Sequence, residues 1–271
     1  MGEVLVITSG KGGVGKTTTV ASLGVALAME GRSVALVDAD IGLRNLDLAL
    51  GLESRIVYDL LDVVSGACFL RQALVRDQRW PGLVLLPAAQ TRDKAAVTPA
   101  QMAEVLDKLR DEFDHVLVDC PAGIEQGFRN AVSGADRAIL VTVPEVTAVR
   151  DATRVKDLLE QSNLPLAGMV LNRYRPKQAR RGDIMDMDDA VNILGMDLLG
   201  VVPEDEAVAR LGNLGEPLAA QRTPAALAYR QIAKRLSGAD TAERRGLSGF
   251  LKSLFKPGAA SGSANQTEVP S

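Results

Sequence analysis

The amino-acid sequence predicts an α/β fold: a single P-loop domain with a mostly parallel sheet covered by helices on both faces, followed by a short C-terminal amphipathic helix. Three observations carry this prediction. Short apolar runs alternate with helical patterns through residues 1–236. The runs are apolar at successive positions, as strands buried on both faces read. The first run also leads through a glycine-rich stretch, residues 10–17, directly into a helical pattern. A hydrophobic content of 46% over 271 residues is enough for one large core, and with only 3% aromatics that core must be built of Val, Leu, Ile and Ala.

Taken in order, the first strand is expected over residues 3–8, around Val4-Leu5-Val6-Ile7, and the first helix over 16–30, stopped by Gly31. Further strands are expected at 33–38, 83–86, 115–119, 138–143, 166–171 and 198–202. The helical patterns between and after them cover 57–65, 99–112, 126–133, 147–161, 187–194 and 224–236. Composition changes at Ser237. Residues 237–243 read as a small, polar linker, 244–256 as a basic amphipathic helix, and 257–271 as a disordered Ala/Ser/Gly-rich tail. No internal repeat is evident.

Residues 10–17 read Gly-Lys-Gly-Gly-Val-Gly-Lys-Thr, the G-x-x-x-x-G-K-T phosphate loop, in the strand–loop–helix context that motif requires. Gly10, Gly12, Gly13 and Gly15 keep side-chain bulk away, so successive backbone N–H groups can face phosphate oxygens beside a helix N-terminus. Val14 and Thr18 complete the ATP-binding stretch. Lys16 is expected on the β- and γ-phosphates and the Thr17 hydroxyl on Mg²⁺. Lys11 is unusual, because holding phosphate from within one subunit does not need it.

Three carboxylates stand at predicted strand ends, Asp38 and Asp40 after the second strand and Asp119 after the fourth. Mg²⁺ keeps several waters and takes one or two carboxylates. Thr17 and Asp119 are the expected metal shell, with Asp119 acting through water; Asp38 joins them by the resemblance given below. In Asp38-Ala39-Asp40 the two acids repeat at the extended-chain period, so one can serve the metal and phosphate loop while the other orients the attacking water. Pro121-Ala122-Gly123 reads as a turn able to sense the γ-phosphate.

In the tail, Leu247, Phe250, Leu251, Leu254 and Phe255 fall on one helical face, flanked by Arg244, Arg245, Lys252 and Lys256 with no acid between. That pattern reads as a helix lying in an anionic membrane surface. One such short helix binds weakly, so two on a dimer would bind far better than one.

These motifs together resemble the MinD/ParA family of ATPases with a deviant Walker A loop, in its cell-division (MinD) branch. The resemblance rests on Lys11-Gly12-Gly13-Val14-Gly15-Lys16-Thr17, the switch from Asp38 to Asp47, Asp119-Cys120-Pro121-Ala122-Gly123, the stretch from Pro144 to Asp151 and the tail helix. It implies ATP and Mg²⁺ as cofactors and an ATP-dependent homodimer in which Lys11 reaches the partner's nucleotide. It also implies Asp40 as the hydrolytic residue, with Lys11 and Lys16 as its catalytic companions. Asn45 and Asp47 would couple the switch to the dimer face, and Asn172 and Pro203 would hold the adenine. The implied partners are anionic lipid of the inner membrane, the division inhibitor MinC and the regulator MinE, with the protein shared between cytoplasm and membrane surface. The tail beyond the helix is longer than the family usually carries.

Two relatives of the same family are the alternatives: a ParA-type DNA partition ATPase and a flagellar-number regulator. The first needs a basic surface for phosphates, and the net charge of −3 argues against general nucleic-acid binding. The second usually has an extension before the phosphate loop. An iron–sulfur scaffold needs paired cysteines, whereas Cys68 and Cys120 stand alone, without a C-x-x-C. No apolar run approaches the ~18 residues of a spanning helix, and no signal peptide is visible.

Overall fold

Eight strands form one sheet in the order β3-β4-β2-β5-β1-β6-β7-β8. A computed structural model describes residues 1–90, 96–124 and 126–238. The strands are β1 (Glu3–Thr8), β2 (Val34–Asp38), β3 (Val75–Arg76), β4 (Leu83–Leu86), β5 (His115–Asp119), β6 (Arg137–Thr142), β7 (Leu166–Tyr174) and β8 (Leu198–Pro203). All pairs are parallel except the edge pair β3–β4, which is antiparallel. The helices are α1 (Lys16–Met29), α2 (Leu46–Leu50), α3 (Leu60–Val64), α4 (Leu70–Ala73), α5 (Pro99–Glu112), α6 (Gln126–Val132), α7 (Val146–Gln161), α8 (Pro176–Ala179), α9 (Met187–Leu194), α10 (Ala207–Asn213) and α11 (Pro224–Leu236).

The expected strands are all present, and β1 is central. Val4, Leu5, Val6 and Ile7 are fully buried, which explains an unbroken apolar run rather than an alternating one. Leu5 and Ile7 join a core cluster with α1 and α11, and those two helices pack together on one face of the sheet. The alternate residues Val4 and Val6 point to the other face, where α5 packs on β1 and β5 and α7 on β6. The sequence of crossovers runs to one side of β1 through β2 and to the other through β6. Ligands of such sheets bind where this direction reverses, at the carboxyl ends of the strands.

Several boundaries differ from expectation. Strand β2 begins one residue late, because the Ser33 backbone and hydroxyl both bond to Asp114 Oδ2. Helix α3 begins at Leu60 rather than residue 57: Asp59 accepts from the Leu61 and Asp62 N–H groups and Asp62 returns the bond, so this capping box sets the start. Strand β7 runs three residues past the expected end, which places Asn172 inside the strand rather than beyond it. The short elements β3, α2, α4, α8 and α10 were not expected, being too short for periodicity to reveal. Ser237 and Gly238 belong to the close of α11 rather than to a linker: their N–H groups bond to Ala233 and Arg235 carbonyls, and Ser237 Oγ donates to Glu30. The rest of the expected linker, the amphipathic helix and the terminal tail lie outside the described residues.

Leu36, fully buried in β2, tests the core. Leu36→Ala should lower unfolding stability by about 2–5 kcal/mol, as a collapsed or empty leucine site does, read as a shift of the urea midpoint with an unchanged slope.

Candidate active site

The carboxyl ends of β1, β2, β5, β7 and β8 converge on one end of the sheet. The phosphate loop leaves β1 there, and α1 starts from it with Gly15 at φ +97°. That left-handed backbone suits glycine, and space demands it too: a Cβ on Gly15 would lie 2.3 Å from Asn172 Nδ2. Gly10 is constrained from another side, since a Cβ there would lie 2.2 Å from the Asp151 carbonyl carbon of α7. Lys16 is buried at the start of α1.

The loop carbonyls are held from behind. Asn172 Nδ2 donates to the Val14 carbonyl at 2.8 Å. The Thr19 hydroxyl donates to the Gly15 carbonyl at 2.8 Å and pairs with the Tyr229 hydroxyl of α11 at 3.0 Å. Ser9 Oγ donates to the Lys11 carbonyl. Thr19 and Tyr229 were not singled out from the sequence. The available signal was that Tyr229 sits in an apolar helical face, and a buried phenol needs a hydroxyl partner.

Asp38 and Asp119 end neighbouring strands in direct register, and both are buried. Asp38 accepts from the backbone N–H of Asp40 at 3.0 Å and of Leu46 at 3.2 Å, so it organises the whole following switch. Burial first, and then the charge of Asp119, push the Asp38 carboxyl up to about 8. Burial likewise raises Asp119 to about 7, against the Thr17 hydroxyl bond and the Lys16 charge that lower it. Asp40 is only partly buried, at the wall of a small cleft with Ile41, Pro121, Ala122 and Phe128. The two turns that follow β2 and β5 therefore face each other across this cleft. Asp47 differs from expectation. It is buried and paired with Arg44 at 2.7 Å, so it staples the switch internally, while Asn45 is exposed.

The site fits a magnesium ion. Asp119 Oδ1 is buried without a hydrogen-bond partner, and the Thr17 hydroxyl bonds to the same carboxylate. Among the described residues no group of three His, Cys, Asp or Glu side chains forms a complete cage, in keeping with an ion that keeps its waters and leans on substrate phosphates.

Beside the loop opens a cavity of about 230 Å³, lined by Gly15, Asn172, Arg173, Pro203, Glu204 and Tyr229 among others. Asn172 and Pro203 thus share the cavity expected to take the base. Lys11 is exposed on the loop and pairs with Glu145 of its own chain at 3.0 Å.

A strand, glycine loop and helix with these acids is a nucleotide site, and comparison with known proteins agrees. The family model of the CobQ/CobB/MinD/ParA nucleotide binding domain matches residues 5–218. The chain belongs to this family. It is similar to the septum site-determining protein MinD of Bacillus subtilis, 53% identical over 264 residues that cover 94% of this chain and 98% of that one. Among solved structures, the MinC:MinD cell division protein complex of Aquifex aeolicus matches with a TM-score of 0.82 and 44% identity, over 87% of this chain and 96% of that one. The MinD of Pyrococcus horikoshii, complexed with Mg-ADP, matches with a TM-score of 0.81 and 31% identity over 90% of this chain and all of that one. Within the family the chain is a MinD-type ATPase of division-site placement, using ATP and Mg²⁺. The partition-ATPase and flagellar-regulator alternatives find no support among these relatives.

The raised carboxyls predict a pH effect on the unliganded protein. An acid whose folded pKa exceeds its unfolded value stabilises the fold below the unfolded pKa and loses that contribution as pH rises through the folded one. For Asp38 this window runs from the ordinary carboxylate value of 3.8 to about 8. Asp38→Asn cannot titrate, so its stability relative to wild type should climb steadily between pH 5 and pH 8, whatever constant offset the lost bond to Leu46 adds. Urea melts of both proteins across that range give the slope, and parallel curves would refute it.

Proposed function

We propose that this chain is an ATP-driven membrane switch whose dimer carries a division inhibitor to the membrane surface. The observation that carries this reading is the phosphate loop with an exposed extra lysine, Lys11, beside two facing switch turns. In this reading the loop amides and Lys16 bind the phosphates, and Thr17, Asp38 and Asp119 hold the magnesium ion. That ion supplies charge neutralisation on the phosphate oxygens. Asp40 orients the attacking water, and Asn172 and Pro203 border the base. Phosphoryl transfer asks little more of a protein than such positioning.

The dimer forms through the nucleotide end. Leu43, Leu48, Ile124 and Val146 are all exposed there, on the loops and helix starts that follow β2, β5 and β6. Lys11 would exchange its own Glu145 for the partner's nucleotide. The pair it leaves is roughly half exposed on both sides, and such pairs contribute little.

The MinC:MinD complex of Aquifex aeolicus motivates the partner assignment; in this reading a protein of the MinC type binds the ATP dimer. A MinE-type regulator is assigned to α7. Its Val149, Ala152, Val155 and Leu159 are buried, as expected; of the expected outward pair Arg154 is exposed but Asp151 is only half-buried, and Arg150 is exposed beside them. The membrane part of the reading rests on the sequence of residues 244–256, with Leu247, Phe250, Leu251, Leu254 and Phe255 as the lipid face. No helix among the described residues is long and apolar enough to cross a membrane; the mode proposed is peripheral binding of this amphipathic segment on the cytoplasmic face of the inner membrane.

Two measurements test this. Lys11→Ala should bind ATP, since Lys16 and the loop amides remain, yet stay monomeric in size-exclusion chromatography with ATP and Mg²⁺; a fully dimeric variant would remove the trans role. The full chain should sediment with vesicles containing anionic phosphatidylglycerol in ATP and not in ADP, because one weak helix needs its twin. Leu251→Glu should abolish that sedimentation by placing a charge at the acyl boundary. Equal sedimentation in both nucleotides would end the switch reading.

A further inference from the structure

We propose that Asn172 is a positioning residue for the phosphate loop: its side-chain amide clamps the Val14 carbonyl and so sets the loop's grip on a polyphosphate, whether or not a base is attached. The proposal rests on the reading that residues 10–17 hold the nucleotide phosphates, and it goes beyond a role for Asn172 at the base. Two contacts of one nitrogen carry it. The amide nitrogen lies 2.8 Å from Val14 O in a buried setting. The same nitrogen packs so closely on Gly15 that no Cβ fits between them. The strand that carries Asn172 thus presses on the loop at two successive residues, one by a hydrogen bond and one by contact.

The geometry of the amide allows both duties. Its oxygen accepts from the Arg173 N–H at 2.9 Å. Arg173 has φ +54°, a left-handed backbone that is unusual for a residue with a side chain. The amide fixed by these two bonds retains one N–H and one lone pair, and Asn172 also lines the base cavity. A base seated there and the loop that holds its phosphates therefore share one side chain. Loop amides can face an anion only while the carbonyls between them are held away from it, and Val14 O is the carbonyl that precedes Gly15 and Lys16.

Base-free tripolyphosphate separates this role from a base contact. With Mg²⁺ present, Asn172→Ala should weaken tripolyphosphate and ATP by a similar factor, about tenfold, the size of one buried hydrogen bond left unmade. Asn172→Asp keeps the shape and serves if the alanine variant folds poorly. At pH 7.5 its carboxylate opposes the Val14 carbonyl, so tripolyphosphate should bind weakly. Relative to wild type its affinity should recover as pH falls toward 5.5, because burial against the Val14 carbonyl raises this carboxyl above its ordinary range and the protonated form donates again. Arg173, Glu204 and Asp205 around the cavity, and Lys16, Asp38 and Asp119 beyond it, are common to both chains, so the ratio isolates position 172. Unchanged tripolyphosphate affinity in both variants, with ATP alone weakened, would make Asn172 a base contact only. Unchanged affinity for both probes would make the clamp dispensable. Wild-type protein that binds neither probe would sink the nucleotide-site reading itself, and the clamp with it.

Discussion

A loop that turns its amides toward an anion must have its carbonyls satisfied from behind, and the nucleotide end of this fold is arranged around that demand. Unpaired buried carbonyls are costly, and here each of three has a donor from a different source. Lys11 O is served by Ser9 just before the loop, Val14 O by Asn172 from β7, and Gly15 O by Thr19 within α1, itself bonded to Tyr229 of α11. Elements that lie far apart in sequence, 158 residues in the case of Asn172 and Val14, are thereby tied to one short turn. The parallel strands make this possible, since the carboxyl ends of all but the edge strand β3 come to the same side.

The second organising force is electrostatic. Two acids in direct register at the ends of β2 and β5 are expensive to ionise together in a buried setting. The structure offsets part of that cost with Lys16 beside Asp119 and with backbone N–H groups on Asp38. What remains is a pair of buried acids whose charge a divalent ion would neutralise. The bond from the Leu46 N–H to Asp38 also means that any change in the charge of this carboxyl reaches the switch that carries Asp40.

The sequence was most legible where physics is local. Buried parallel strands read as unbroken apolar runs, and the phosphate loop reads from glycine spacing, so β1, β2, β4, β5 and the loop were found almost to the residue. The helix starts at Pro99 and Pro224 were also found. Less legible were features decided by tertiary pairing. The two-residue β3 exists only because β4 lies beside it. Asp47 resembles an exposed switch acid until Arg44, in a left-handed conformation, folds back onto it. Asn172 carries a signal for turn or base contact in sequence, but its bond to Val14 depends on the placement of β7. Tyr229 lay within an expected helix, with nothing local to announce that its hydroxyl would meet Thr19.

The contact between Gly10 and α7 has a consequence for communication between sites. The Asp151 backbone fills the space a side chain at position 10 would need, so the first residue of the loop and the helix share one van der Waals surface with no hinge or spacer between them. Packed interiors of this kind yield little before something else must move. Free energies of coupling are reciprocal. If an occupant of α7 shifts the loop's affinity for nucleotide, the nucleotide shifts the helix's affinity for that occupant by the same factor. Through this contact the molecule can report its occupancy in both directions without any larger rearrangement.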